Sequence, residues 1–148
     1  MRYAIFLVTI TTICVFAGCS KSKKGSSSGS MSAMINGASF SVQHCTIGGN
    51  TAGGLFVEGF DTVGVGRAIQ FSITNYTAGA TGTYAITAYP DITVSAAVDS
   101  NNTGQDAQTG SIIIKAYSTS AVSGTFSFTC TNGTVVTTVT NGVFEAVK

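Results

Sequence analysis

Apolar and hydroxyl-bearing residues alternate through the last third of the chain, residues 122–148. This segment contains two Asn-Gly pairs, Asn132-Gly133 and Asn141-Gly142. Asn-Gly is typical of two-residue hairpin turns because both central residues of a type I′ turn need positive φ. The pattern therefore predicts a three-stranded antiparallel meander with a turn at each pair.

Both predicted turns give the meander one apolar face. The first turn places Cys130 opposite Val135 and Phe128 opposite Thr137, and the second places Val139 opposite Phe144. Because a slip of one residue would turn this face to water, the register is well specified, and a second layer must cover the face. With Thr137 as the only polar member, the face comprises Phe126, Phe128, Cys130, Val135, Val139, Phe144 and Ala146.

Shorter alternating segments precede the meander. Asn36-Gly37 predicts a hairpin over residues 31–42, with one inner face that comprises Ala33, Ile35, Ala38, Phe40 and Val42. No window has a helical period, and about nine to ten short strands predict an antiparallel β-sandwich, immunoglobulin-like or similar, with a small closed β-barrel as the alternative. The remaining predicted strands are 55–60, 68–74, 83–87, 92–98 and 111–117, separated by Gly-rich or polar loops.

Charge is sparse, at 9% of residues, and uneven. From residue 31 onward, the basic residues are Arg67, Lys115 and Lys148, and six acids give a net charge of −3. The absence of a basic patch excludes nucleic acid as an expected partner. The acids are Glu58, Asp61, Asp91, Asp99, Asp106 and Glu145.

The first nineteen residues predict an export signal. An apolar run over 4–16 follows the basic Arg2 and is too short to span a bilayer. Phe16-Ala17-Gly18-Cys19 resembles the lipobox of bacterial lipoproteins, although Phe16 replaces the usual Leu, Val or Ile. The resemblance implies that Cys19 becomes an N-terminus acylated with fatty acids such as palmitate; an ordinary signal peptide is the alternative. Residues 20–30 are a Ser/Gly/Lys tether with a span of about 18 Å, leaving residues 31–148 as the folded domain.

Two cysteines remain in the predicted domain, Cys45 and Cys130. An export compartment allows a disulfide between them. Cys130 lies on the apolar face, whereas Cys45 is out of phase with Phe40 and Val42. The bond therefore requires a bulge or a strand end between Val42 and Cys45. The alternative is two separate thiols.

Tyrosines near predicted turns are candidates for a ligand site. Tyr76, Tyr84 and Tyr89 would form a flat aromatic platform for a sugar or a peptide. The alternative is that each ring straddles core and solvent.

A metal site and a catalytic site have weaker support. Asp99, Asn101 and Gly104 match the start of a calcium loop, but Gly110 stands where a bidentate Glu is expected. Asp99, Asn101 and Asp106 are thus weak candidates in a polar hairpin loop, and no metal or other cofactor is expected. His44 is the only histidine, and no Gly-x-Ser-x-Gly elbow accompanies it.

Both ends of the chain resemble a known family. GTFSFT at 124–129, VTNGVF at 139–144 and MSAMINGASFSV at 31–42 are similar to motifs of uncharacterised Gram-negative lipoproteins with a small secreted β-sandwich domain of unknown function. The opening motif matches the pattern A-x-(I/V)-N-G-x-x-F common at the start of that domain. The resemblance implies the fold and an envelope address, and it brings no activity or catalytic residues.

The sequence thus predicts a non-enzymatic lipoprotein of the cell envelope that binds a protein or a glycan. The membrane, contacted through the lipid on Cys19, is its first expected partner, and the outer membrane its expected location, on either the periplasmic or the surface side. The alternatives are a structural component of an envelope complex and, least favoured, a hydrolase that uses His44.

Overall fold

The computed structural model describes residues 28–49, 54–61, 66–87, 94–100 and 103–148. Cys19, Tyr89, Asp91 and Asn101 lie outside these ranges. The described residues include no helix with the length and hydropathy to span a bilayer. They form ten β-strands: β1 Ser30–Ile35, β2 Ala38–Val42, β3 Cys45–Gly49, β4 Leu55–Phe60, β5 Ala68–Ile73, β6 Gly82–Thr87, β7 Val94–Ser100, β8 Thr103–Tyr117, β9 Ala121–Asn132 and β10 Val135–Val147.

The strands form one antiparallel sheet that folds over a single core. Their order is β2-β1-β10-β3-β4-β5-β7-β8-β6, and β9 pairs with both β10 and β8. The junction of β10 with β3 is parallel and consists of one pair, Val147 with Thr46. The all-β, antiparallel, sandwich-like prediction is confirmed.

Aromatic side chains join the two sides of the core. Phe71 on β5 lies 5.9 Å from Phe126 on β9 and 5.0 Å from Phe144 on β10, measured between ring centroids. Apolar positions at every second residue of these strands are buried, as expected for a sheet with one covered face. Thr137 is the only polar residue among the buried ones in the described ranges.

The predicted β1–β2 hairpin is confirmed, but Ala38, predicted on its inner face, is exposed next to the turn. Asn36 and Gly37 both have positive φ, 49° and 80°, and Ile35 pairs with Ala38. The turn also fastens the hairpin to β10: the Asn36 Oδ1 accepts a hydrogen bond of 2.7 Å from the backbone N–H of Thr138. The backbone N–H of Asn36 donates to the Thr138 carbonyl at 2.9 Å.

The register of the β9–β10 hairpin differs from the predicted one by two residues. Asn132 pairs with Val135, so the turn residues are Gly133 and Thr134, with φ of 61° at Gly133. An even shift leaves every side chain on its predicted face, and for this reason Phe126, Phe128, Cys130 and Val139 are buried as predicted. Val135 is the exception, 55% exposed because the tip of the hairpin extends past the core.

The prediction of a second turn in the meander, at Asn141-Gly142, is wrong. Asn141 and Gly142 lie inside β10, where the pairing with β9 jumps from Val139–Phe128 to Gly142–Phe126. Asn141 has φ of 54° and forms a β-bulge. The extra residue reverses the alternation, so Phe144 is buried just as a turn would have made it. The place of the predicted third meander strand is taken by β1, which pairs with β10.

Two segments predicted as loops are strands. Residues 103–109 extend β8, where Asp106 pairs with Ala97 of β7, and residues 45–49 form β3 beside β4. Polar and Gly-rich composition favoured loops, but pairing with a neighbouring strand outweighs local propensity.

Candidate functional site

The outer face of three neighbouring strands carries a shallow trough. We call it the outer trough. Two adjoining depressions of about 420 and 500 Å³ share Thr125 and Val143. A third, of about 230 Å³, continues from Ser123 and Glu145 to Tyr117. The trough residues on the three strands are Ser111, Ile113 and Lys115 of β8, Ser123, Thr125 and Ser127 of β9, and Asn141, Val143 and Glu145 of β10.

Strand register arranges these nine side chains in rows. Thr125 of β9 pairs with Ile113 on one side and Val143 on the other. Ser123 pairs with Glu145 of β10 on one side and with Ala116 of β8 on the other, and Lys115 directly precedes Ala116. Ser127 pairs with Ser111. The floor of the trough is therefore a row of hydroxyls on β9, with β8 and β10 on either side.

The face is concave. Lys115 of β8 and Gln43, just beyond β2, line the same depression. On a flat sheet the steps from β8 through β9, β10 and β1 to β2 would separate them by about 19 Å, at about 4.8 Å per step. The depression therefore runs across the outer face from β8 to the end of β2.

The trough combines hydroxyls, one charge of each sign and two aliphatic side chains. Lys115 and Glu145 are exposed on opposite sides of Ser123. Val143 is 52% exposed, which is unusual for a large aliphatic residue of this domain. Such a surface donates and accepts hydrogen bonds and offers a small apolar contact. These properties suit the trough to binding.

A tyrosine cluster lies at one end of the trough. The ring centroid of Tyr76 is 5.9 Å from that of Tyr84 and 5.8 Å from that of Tyr117. Tyr76 donates a hydrogen bond from its hydroxyl group to the Ala80 carbonyl. Burial raises the pKa of Tyr76, and electrostatic interactions with Tyr84 and Tyr117 raise it further. All three rings are half-buried and pack against the core, so they straddle core and solvent.

The structure thus brings together two of the three predicted platform residues. Tyr89 lies outside the described residues, and Tyr117 completes the cluster. Strict alternation along β8 would place Tyr117 on the outer face with Ile113 and Lys115, but a register shift between Ile114 and Ala116 turns its ring toward the core. A bulge of this kind has no marker in the local sequence.

Of the two alternatives for Cys45 and Cys130, the structure has the separate thiols: both cysteines are free and fully buried. Cys130 pairs with Thr137 near one end of β10, whereas Cys45 is next to the Thr46–Val147 pair at the other. About ten residues of β10, at about 3.3 Å each, separate these levels, and a disulfide needs Cα atoms within about 7 Å. The strand end that the bond required does exist between Val42 and Cys45.

Burial makes both thiols inert. It raises the pKa of Cys45 to about 12. Burial also raises the pKa of Cys130, to about 11. A hydrogen bond with the Val98 backbone lowers this pKa, and the nearby charge of Asp106 raises it further. Because the thiolate is the reactive form, neither side chain is a nucleophile at neutral pH.

The weak metal candidates are described only in part. Asp106 is exposed on β8, Asp99 pairs with Gly104 of β8, and Asn101 is outside the described residues. Within the described ranges there is no group of three or more His, Cys, Asp or Glu side chains that would hold a metal. The ring of His44 stacks on Phe60, with centroids 5.9 Å apart and an interplanar angle of 15°.

Comparison with known proteins places the domain in a family. Residues 27–148 match the family model described as Domain of unknown function (DUF6252). The chain belongs to this family. No curated protein and no solved structure gives a significant match.

For this DUF6252 domain, sequence reasoning missed the outer trough. The outward positions of β8, β9 and β10 are visible in the alternation, but small hydroxyl side chains carry no signal that distinguishes a binding surface from a solvated face. The pairing of β10 with both β9 and β1 brings these positions together in one depression.

Proposed function

We propose that the chain is a lipid-anchored, non-enzymatic protein of the Gram-negative cell envelope that holds a protein or a glycan in its outer trough. The observation that carries the binding role is the concave face on which Thr125 is flanked by Ile113 and Val143. The lipid anchor and the outer-membrane location rest on the lipobox that ends at Cys19.

The position of the tether supports this arrangement. The described chain enters β1 at Ser30, opposite Glu145, so an anchored domain would hold one end of the trough near its tether. The other end, toward Ser127 and Asn141, points along β10 away from the tether. A bound partner would therefore extend outward from the membrane.

The test is binding to isolated cell envelopes by the domain and two matched variants. Thr125→Arg places a long charged side chain over the centre of the trough. Thr131→Arg makes the same change on the same strand at an exposed position outside it. We expect Thr125→Arg to lose envelope binding and Thr131→Arg to keep it, with both variants folded by circular dichroism. Equal binding by both would refute the trough as the binding site.

A second candidate role is assembly through strand edges. Among the described strands, β2 pairs only with β1 and β6 only with β8, so each offers an open edge for strand addition. If the domain binds through the edge of β2, envelope binding should be unchanged in the Thr125→Arg variant and reduced in a Ser39→Pro variant of β2.

A further inference from the structure

The dimensions of the outer trough suit a linear ligand. It follows β9 from Ser127 to Ala121, about 20 Å at about 3.3 Å per residue, the length of about four pyranose units. We propose that the trough binds a linear, uncharged oligosaccharide. The inference rests on the proposed function and names the ligand class of the same site.

Backbone pairing disfavours a peptide in the trough. Thr125 and Ser123 of β9 pair with β8 on one side and β10 on the other. The backbone groups of the floor are therefore already used, and a peptide lying there would leave its own N–H and C=O groups without backbone partners. Strand addition needs a free edge. A polyhydroxylated chain needs none, because side-chain hydroxyls, a carboxylate and an ammonium group satisfy its hydroxyls.

The charge balance of the trough favours an uncharged chain. Lys115 and Glu145 stand on opposite sides of Ser123, and the other trough residues are neutral. A polyanion would be attracted to Lys115 and repelled by Glu145, and a polycation the reverse. A neutral sugar instead uses both groups as hydrogen-bonding partners, and such charge-assisted bonds are the stronger kind.

The aliphatic pair fits the apolar face of a sugar ring. Ile113 and Val143 lie on either side of Thr125 at the centre of the trough. The C–H face of a pyranose would cover Val143, which otherwise remains half in water. Among the aromatic lining residues, Phe126 and Phe144 are buried and Tyr117 lies at one end. Each sugar unit therefore contributes modestly, and affinity should depend on chain length.

The experiment titrates the domain with linear cello-, malto- and N-acetylchito-oligosaccharides of two to six units, and with charged oligogalacturonates, following backbone amide shifts by NMR. We expect at least one neutral series to shift the amides of 123–127, with affinity that rises up to about four units and then levels off. Glu145→Gln should weaken this binding on the order of tenfold by removing a charge-assisted hydrogen bond. Glu58→Gln, on β4, should leave it unchanged.

Several results would overturn the inference. Tighter binding of oligogalacturonates, no trough shifts with any neutral series, or equal affinity of the Glu145→Gln variant would each do so. Trough shifts produced by extended hexapeptides in place of sugars would also do so, while leaving the proposed function intact. The proposed function fails separately, when Thr125→Arg leaves envelope binding unchanged.

Discussion

Three phenylalanines on the hairpin of β9 and β10 each lie opposite a glycine. Phe144 pairs with Gly124, Phe126 with Gly142, and Phe128 with Gly110 of β8. A Cβ on Gly142 would lie 2.5 Å from the Phe126 ring, and one on Gly124 would lie 2.9 Å from the Phe144 ring. The rings of Phe126 and Phe144 thus occupy the space that the opposite glycine leaves, a known device for glycines in sheets. A Cβ on Gly110 would instead meet the backbone and the Cβ of Phe128.

Gly142→Ala should therefore destabilise the domain. The added methyl group meets both the ring and the backbone of Phe126, and overpacking of this kind costs about 1–3 kcal/mol. Urea denaturation followed by circular dichroism would measure the loss. Gly104→Ala on β8 is the control, because nothing lies within 4 Å of its Cβ position. Because alanine lowers the entropy of the unfolded chain, Gly104→Ala should be neutral or slightly stabilising. Similar losses in both variants would contradict a role for the contact with Phe126.

Much of this residue-scale packing was readable from the sequence. Alternation predicted the inward Phe126, Phe128 and Phe144, and it also predicted Thr137 as the one polar residue among them. The Gly–Phe pairs were not predicted because a glycine carries no hydropathy signal. Gly142 in particular was assigned to a turn.

At the scale of elements, the same dipeptide builds two different structures. Asn36-Gly37 forms a two-residue turn, whereas Asn141-Gly142 forms a bulge within an unbroken β10. Both asparagines have φ near 50°. Local sequence specifies that left-handed conformation, and the availability of β1 as a partner for β10 decides whether the chain reverses.

Substitution of Asn141 should test whether the bulge requires a residue that tolerates positive φ. Asn141→Val introduces a β-branched side chain at φ of 54°. Valine adopts this left-handed conformation poorly, so the substitution should lower the free energy of unfolding by about 1–2 kcal/mol. We expect a lower thermal midpoint for Asn141→Val, and little change for Asn141→Gly, which adopts positive φ freely. A valine variant as stable as the glycine variant would contradict the assignment of strain to this position.

Strands were predicted correctly where the local hydropathy pattern defines them, and incorrectly where pairing with a neighbouring strand defines their extent. The strands β1, β2, β4, β5 and β6 lie where alternation placed them. The length of β8, the existence of β3 and the turn residues of the β9–β10 hairpin depend on pairing. A register that differs by two residues satisfies the same hydropathy pattern, so the sequence could not distinguish the two.

At the scale of the molecule, β10 is the strand on which the fold converges. It pairs with β9, β1 and β3. The last of these joins Thr46 to Val147, residues far apart in sequence, and no local signal predicts it. The all-β class followed from composition and alternation, whereas the closing contact and the concave outer face follow only from the assembled sheet.

The proposed lipid anchor gives a prediction for the whole protein. Cys19→Ala should move the protein from the membrane to the soluble fraction and abolish incorporation of labelled palmitate, because the acyl chains supply the stable attachment. Fractionation and immunoblotting would detect the change, with Ser22→Ala as the matched control.

Protease treatment of intact cells would then give the orientation. Digestion before the outer membrane is opened indicates the cell surface, and protection until it is opened indicates the periplasm. A Cys19→Ala protein that stays with the membrane fraction would contradict lipid anchoring.

The pairing of β1 with β10 has a mechanical consequence. The N-terminal end of β1, at Ser30, lies beside Glu145, and the pairs continue along the strand to Ile35 and Val139. If the N-terminus is held and a ligand in the trough is pulled away, the load passes from β1 straight to β10, whose outer side lines the trough. The pull is parallel to the strands, so the hydrogen bonds of the ladder bear it together in shear and do not unzip one at a time. Under tension, the domain should therefore release its ligand before it unfolds.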